Sequence, residues 1–282
     1  DTPDKGRLQI NLVSDISAYP IQGAQISIYY TGVPEAQLEQ LTTDSSGQTD
    51  TIDLAAPPLE YSLNPENEVQ PYSEYTMQIT AEGFESVSIA GAAIQNVSMK
   101  PIDNPENEET VFVIPAHTLY ATYPPKIPED EIQPTFESGE IVLSRVVVPE
   151  YIVVHDGSPR DSTAKNYYVK YKDYIKNVAS SEIYATWPED TIRANVLAIM
   201  SFTLNRVYTE FYRNRGYDFT ITSSTAFDHK WIPERNIYDT ISVIVDELFA
   251  DYLSRPNVKQ PILTQYCDGR QVQCPNWMTF LL

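Results

Sequence analysis

Positive charge is scarce in this chain. Its 282 residues carry 19 Lys and Arg against 39 Asp and Glu, a formal net charge of -20. Nucleic-acid binding needs clustered Lys and Arg to neutralise phosphates, so this balance argues against a nucleic-acid partner. It argues equally against an anionic membrane surface. Cysteine and histidine are rare too: the only cysteines are Cys267 and Cys274, and no histidine precedes His117. A thiol or imidazole site is therefore excluded from everything before His117. No apolar run approaches the roughly 20 residues of a membrane-spanning helix. The chain opens Asp1-Thr2-Pro3-Asp4, without the basic-then-apolar pattern of a secretory leader. That opening implies export by another route or a leader already removed.

What is present is globular. Hydrophobic residues make up 42% and charged residues 21%, and the length suffices for one large domain or two ordinary ones. The charge is divided unevenly. Residues 1–140 hold 23 acidic and 4 basic side chains, whereas residues 141–282 hold 16 and 15. So sharp a split implies two modules with different tasks, although an acidic module can also be merely soluble and self-repelling.

Residues 1–103 read as all-β. Leu8 to Leu12, Ala24 to Tyr29, Tyr75 to Thr80 and Val87 to Ile89 alternate apolar and polar residues, as half-buried strands do. Turn residues separate them at Ile21-Gln22-Gly23, Asp44-Ser45-Ser46-Gly47 and Ala81-Glu82-Gly83-Phe84. A small β-sandwich is the expected result. Asp44 and Asp50 invite a calcium reading, but Asp44 is read as an Asx-turn residue. The order Pro20-Ile21-Gln22-Gly23-Ala24, Thr43 to Thr49 and Tyr75 to Phe84 resembles the carboxypeptidase regulatory-like, or transthyretin-like, sandwich. Those motifs specify fold better than function.

Residues 104–140 form an acidic, proline-rich connector, with Asn104-Pro105-Glu106-Asn107-Glu108-Glu109 followed by Pro115, Pro124, Pro125, Pro128 and Pro134. Such proline density forbids long helices and central strands. An extended linker is expected, with Val111 to Ile114 pairing as an edge strand and protease-accessible chain around it. His117 reads as an ordinary surface or packing residue.

Residues 141–282 read as α+β. Strands are expected at Ile141 to Leu143, Arg145 to Val148, Tyr151 to Val154, Asn166 to Lys170 and Pro261 to Tyr266, with a turn at Asp156-Gly157-Ser158-Pro159. A helix over Lys172 to Tyr184 precedes Trp187-Pro188. A second, with Pro188 at its first position and Glu189 and Asp190 in its first turn, is expected to reach Arg213. Apolar on nearly every side, it reads as a central buried helix. A third is expected over Ile237 to Ser254. Glu182 falls near the end of the first helix, among Tyr184 and Trp187. Apolar neighbours penalise the charged form of such a carboxyl, the condition for a general acid near neutrality. A solvated surface glutamate is the bland alternative.

The run Tyr174 to Pro188 resembles the SpoIID/LytB family, in which a short helix ending in Glu precedes Trp-Pro and a long apolar helix. Residues 171 to 208 fit without a gap. Thr222-Ser223-Ser224-Thr225-Ala226-Phe227-Asp228 and Thr264-Gln265-Tyr266-Cys267-Asp268-Gly269 follow in the family's order. With the sandwich in front, the whole chain resembles the spore cortex-lytic enzymes, secreted lytic transglycosylases of spore-forming bacteria.

The resemblance implies a multidomain protein: an N-terminal all-β sandwich and a C-terminal α+β SpoIID-like catalytic domain. It implies cleavage of the bond between N-acetylmuramic acid and N-acetylglucosamine in peptidoglycan during germination. The muramic 6-hydroxyl attacks its own anomeric carbon and leaves a 1,6-anhydro end. One carboxyl, Glu182, serves first as acid and then as base, where ordinary glycosidases use two carboxylates. Ser224, Thr225, Asp228, Tyr266 and Asp268 are the implied substrate-binding residues of the groove. Asp228 stands where many members have Gln, and Tyr266 has a packing role as its alternative. The family's Ala-Arg-Thr-Tyr run is replaced by Met200-Ser201-Phe202-Thr203, so no arginine role carries over there.

The implied partners are peptidoglycan glycan strands and an activating serine protease, in an extracytoplasmic, spore or secreted location. No cofactor is implied. Some relatives hold zinc near the groove with Cys and His, but Cys267, Cys274 and His229 fall short of a four-ligand set. A disulfide between Cys267 and Cys274, or free thiols, is expected instead of metal. Nothing around Cys267 resembles a protease nucleophile. Relatives continue beyond the Cys274-Pro275-Asn276-Trp277 step, so the end at Leu282 is expected to be truncated. That leaves three readings: an active transglycosylase, a catalytically impaired wall-binding form, and a precursor restrained by its acidic front module.

Overall fold

Alternating side chains build the first part of the molecule. The computed structural model describes residues 4–16, 18–64, 66–91, 96–102, 110–113, 143–267 and 278–279. The chain divides into two compact units, Asp1–Ala116 with Glu234–Asn236, and His117–Pro233 with Ile237–Leu282.

The first unit holds strands β1 (Asp4–Leu8), β2 (Asn11–Ser14), β3 (Gln25–Tyr30), β4 (Gln37–Thr42), β5 (Ile52–Ala56), β6 (Tyr75–Thr80), β7 (Val87–Gly91), β8 (Asn96–Met99) and β9 (Thr110–Val113). The one-turn helix α1 (Glu60–Leu63) interrupts them. One sheet has the order β4-β3-β6-β7-β9, and the pairs β1-β5 and β2-β8 stand apart from it. Ile26, Ile28, Met77, Ile79 and Ile89 from the large sheet meet Leu8, Ile10, Leu12 and Met99 in one core. The unit is thus β-rich, as expected.

The stretch Leu8 to Leu12, expected as one strand, is divided between β1 and β2, which pair with different partners. Thr49 holds the break: its hydroxyl accepts the Ile10 N–H at 3.0 Å, and its carbonyl accepts the Gln9 side chain at 3.1 Å. The inward alternation of Leu8, Ile10 and Leu12 survives, so burial decides the pattern while a side-chain hydrogen bond decides the pairing. Asp44 is an Asx-turn residue whose Oδ1 accepts the N–H of Ser46 and of Gln48. Gly47, at φ +74°, could not carry a side chain: a Cβ there would lie 2.4 Å from the Leu12 carbonyl oxygen. The expected edge strand of the connector is present as β9, parallel to β7.

The described part of the second unit opens with residues 143–150, which form no strand; Ile141 and Val142 of the expected strand Ile141 to Leu143 lie outside the described residues. This corrects the expectation for Arg145 to Val148. Leu143, Val147 and Pro149 instead line an apolar cleft of about 290 Å³ against Phe211 and Phe219. Strands β10 (Tyr151–His155) and β11 (Asn166–Lys170) then pair antiparallel, and β12 (Ile221–Thr222) joins β10 in parallel. Against them pack α2 (Tyr171–Glu182), α3 (Glu189–Tyr208) and α4 (Asp239–Leu248).

Helix α3 is central and buried, with Ile192, Val196, Ile199, Met200, Phe202 and Leu204 all at 0% exposure. Its buried hydroxyls are satisfied within the helix, Ser201 donating to the Leu197 carbonyl and Thr203 to the Ile199 carbonyl. Pro188 is the residue before the helix rather than its first position, and the helix stops at Tyr208, short of Arg213. Glu210, at φ +48°, turns the chain out of the helical path, and Arg213–Arg215 forms a separate 3-10 turn. Helix α4 likewise stops at Phe249, at φ +40°, instead of reaching Ser254. The strand expected over Pro261 to Tyr266 shrinks to β13 (Tyr266–Cys267), which pairs with β14 (Met278–Thr279). Among the described residues, no helix is long and apolar enough to cross a membrane.

Candidate functional site

Helix α2 ends on Glu182 because Ile183 is extended, and its N–H closes the last turn on the Ala179 carbonyl. The chain then turns at Tyr184 to Trp187 and enters α3 after Pro188. Glu182 therefore sits at the negative end of a helix dipole, which disfavours a carboxylate. Two donors offset that. The Lys230 N–H donates to Oε1 at 2.7 Å, and the Tyr266 hydroxyl donates to Oε2. Both are hydrogen bonds of a kind that favours a carboxylate. Glu182 is 4% exposed and Tyr266 2%, so this carboxyl is not the solvated glutamate of the bland alternative.

Tyr266 covers it. Its ring stacks on His229 with centroids 5.7 Å apart, and Nδ1 of His229 lies 3.1 Å from the Tyr174 hydroxyl. Burial raises the pKa of the Tyr266 phenol well above its ordinary value, and the Glu182 charge adds to this. The phenol thus stays protonated and donates. His229 is fully buried and also packs on Phe202.

Asp228 is not where the resemblance implies. It is 0% exposed, and its Oδ1 accepts from Arg206 Nε at 2.8 Å. Its Oδ2 accepts from the Tyr212 hydroxyl at 2.6 Å, the Thr222 hydroxyl at 2.7 Å and the Thr222 N–H at 3.0 Å. Arg206, 1% exposed, lies over the rings of Phe202 and Phe211. Asp228 is therefore the counterion of a buried arginine rather than a groove residue. This replaces its sugar-binding role: a carboxylate with this many donors and no exposed surface has no face for a ligand.

Ser224 and Thr225 are half-exposed on the turn closed by the Ser224 carbonyl and the N–H groups of Phe227 and Asp228. Asp268 and Cys274 lie outside the described residues, as does the side chain of Cys267, and with them the disulfide expectation. Tyr184 and Trp187, both half-buried, meet edge to face at 5.8 Å beside Glu182.

The sequence alone does not single out Lys230, Asp156 or Ser223. Lys230 is half-buried; burial lowers its pKa, opposed by the charges of Asp156 and Glu182. Asp156 follows β10, and its Oδ1 accepts the Ser223 hydroxyl at 2.8 Å. Ser223 is fixed in turn by its N–H to the His155 carbonyl. Asp156 reads as a turn residue in sequence, and Lys230 stands just past the Ser-Ser-Thr signature, so neither carried a pattern of its own.

No family model and no curated protein matches the chain. Among solved structures it is similar to the Bacillus anthracis TIE protein, at 18% identity and a TM-score of 0.23 over 35% of this chain and 17% of that one. It is also similar to a DUF3823 family protein from Parabacteroides merdae, at 14% identity and a TM-score of 0.24, covering 36% and 47%. A catechol 1,2-dioxygenase from Acinetobacter radioresistens matches at 11% identity and a TM-score of 0.24, covering 39% and 58%. The chain thus spans less than two thirds of the length of each.

Proposed function

We propose that the second unit is a SpoIID-like lytic transglycosylase acting on peptidoglycan glycan strands, as in the spore cortex-lytic enzymes, with Glu182 as its single acid/base. One observation carries the reading. Two of the three segments on which the resemblance rests, Tyr174 to Pro188 and Thr264 to Gly269, meet at one buried carboxyl group, where the Tyr266 hydroxyl donates to Glu182. The second donor, the Lys230 N–H, comes two residues after the third segment, Thr222 to Asp228.

A carboxylate gripped by a phenol and a backbone N–H first takes up a proton, then protonates the glycosidic oxygen and finally accepts the proton of the muramic 6-hydroxyl. No water enters the bond-breaking step. The bond from the anomeric carbon to the leaving oxygen breaks as the bond to O6 forms, so the products are an anhydro end and a free 4-hydroxyl. A second reading, a closed precursor form, is favoured by the 4% exposure of Glu182, since a glycan reaches it only when Tyr266 moves aside. Digestion of purified cortex fragments followed by mass spectrometry tests both. Anhydro-muramic ends made by the wild type and lost in Glu182→Gln support the first. Activity that appears only after proteolysis of the connector supports the second. Ordinary reducing ends refute the transglycosylase mechanism.

A further inference from the structure

Glu182 Oε1 accepts the Lys230 N–H at 2.7 Å. That donor sits in residues 229–232, which form no helix or strand, so no strand ladder among the described residues fixes its direction. A side chain does so instead. Asn177 of α2, 6% exposed, donates from Nδ2 to the Ile232 carbonyl at 2.7 Å. Its Oδ1 accepts the Ile232 N–H at 3.1 Å. One amide thereby takes both backbone groups of one residue, as the partner residue in an antiparallel strand pair does.

The spacings on the two sides agree. Ile232 precedes Pro233, and a residue before proline is biased to extended backbone. In extended chain, residues two apart present their N–H groups to the same side, and here Lys230 and Ile232 both donate to α2. Asn177 and Glu182 are five residues apart on that helix, a rise of about 7.5 Å. Two residues of extended chain span about 7 Å. A slip of one residue would turn the N–H groups to the other side, so one register satisfies both contacts. Between them Trp231, 5% exposed, packs its ring against Tyr167 of β11.

We propose that Asn177 is a positioning residue for Glu182: by clamping Ile232 it fixes the Lys230 N–H on the carboxyl and so sets the carboxyl's orientation. The use of that orientation in glycan cleavage rests on the transglycosylase reading; the clamp itself does not. In that reading Tyr266 moves aside for the glycan. Of the donors named above, the Lys230 N–H is then the one that stays on Glu182.

Hydrogen exchange of the full chain, read amide by amide by NMR, tests the clamp. Asn177→Leu is close in size and removes both bonds to Ile232. The Lys230 N–H is bonded to Glu182 and not to Asn177. Its exchange should nevertheless quicken about tenfold or more relative to the Phe202 and Leu204 amides of α3. Asn177→Asp, which keeps the acceptor for the Ile232 N–H, should quicken it by less. An asparagine that only stabilises the fold predicts another pattern, in which all these amides quicken together. That pattern, or an unmoved Lys230 amide in Asn177→Leu, overturns the proposal. Should Asn177→Leu fail to fold, an unmoved Lys230 amide in Asn177→Asp overturns it instead. In glycan cleavage the variant with a moved Lys230 amide should lose about tenfold or more in kcat with KM little changed, because a misplaced group costs rate rather than binding. An unchanged kcat there overturns the orienting role. Anhydro products that depend on Glu182, with an unmoved Lys230 amide, sink this proposal alone. A moved Lys230 amide, with no anhydro products from the wild type, sinks the transglycosylase reading alone.

Discussion

Asp228→Asn separates a structural aspartate from a substrate-binding one. The substitution keeps shape and removes charge. It leaves the Arg206 guanidinium, 1% exposed, without its counterion in a cage of Phe202, Phe211 and Tyr212. It also sets an amide against the Tyr212 and Thr222 hydroxyls, which now donate to a carboxylate. Breaking a buried pair from one side costs about 3–5 kcal/mol, a large share of the roughly 5–15 kcal/mol that stabilises a domain. With a urea slope of about 2 kcal/mol/M, the unfolding midpoint should fall by about 2 M. Tryptophan fluorescence reads this unit selectively, because Trp187, Trp231 and Trp277 all lie after the connector. Arg206→Met should be destabilising by a comparable amount. The double variant should be less unstable than the two single costs combined, since removing both charges leaves neither uncompensated. A normal midpoint for Asp228→Asn together with weakened glycan binding would refute the buried-pair assignment and restore the sugar-binding one.

Tyr266→Phe removes the hydroxyl donor from Glu182 and should cost about 1–3 kcal/mol of stability in the same assay; an unchanged midpoint would show that the contact contributes nothing. Gly47→Ala should destabilise the first unit by roughly 2–3 kcal/mol, through a left-handed backbone and a Cβ driven into the Leu12 carbonyl. Since that unit lacks tryptophan, tyrosine circular dichroism is the readout, and a wild-type melting temperature would contradict the geometry. Asp246 bridges Lys172 and Lys176, whose hydrogen bonds hold its pKa below the ordinary value. Its contribution is present above the unfolded carboxyl pKa and fades as pH falls through the lower folded value. Asp246→Asn should therefore narrow its gap to the wild type in acid, and because the pair is half-exposed the gap at neutral pH should be about 0–1 kcal/mol.

Where burial alone decides an element, the sequence was legible. β6 and β11 were read to the residue, and α2 to within two residues at each end, because alternation or a helical stripe marks which side faces the core. Ends set by backbone conformation were not legible. Glu210 and Phe249 take positive φ values, and nothing in either residue type announces a left-handed turn. β4 was missed because its side chains are nearly all exposed, so it carries no apolar signal. At the site, the resemblance points to Glu182 and Tyr266, and the structure joins these two by a hydrogen bond. Asp228 was assigned the right neighbourhood and the wrong depth. Its donors come from positions 206, 212 and 222, and the burial of an arginine on an otherwise apolar helix is visible only once the fold is built. Lys230, whose backbone N–H reaches Glu182, carries no local pattern that would announce this proximity.

The burial of Glu182 and its proposed chemistry are compatible only if the cover is cheap to open. Among the described residues, Tyr266 belongs to a strand of two residues, and a pairing of that length contributes few backbone hydrogen bonds. The floor beneath it is of another kind: His229, Tyr174 and Phe202 are fully buried, and the Arg206–Asp228 pair locks the α3 helix to the 222–228 turn. A rigid floor would let the carboxyl keep its geometry if the phenol departed. Departure would remove one of the two donors that favour a carboxylate at Glu182.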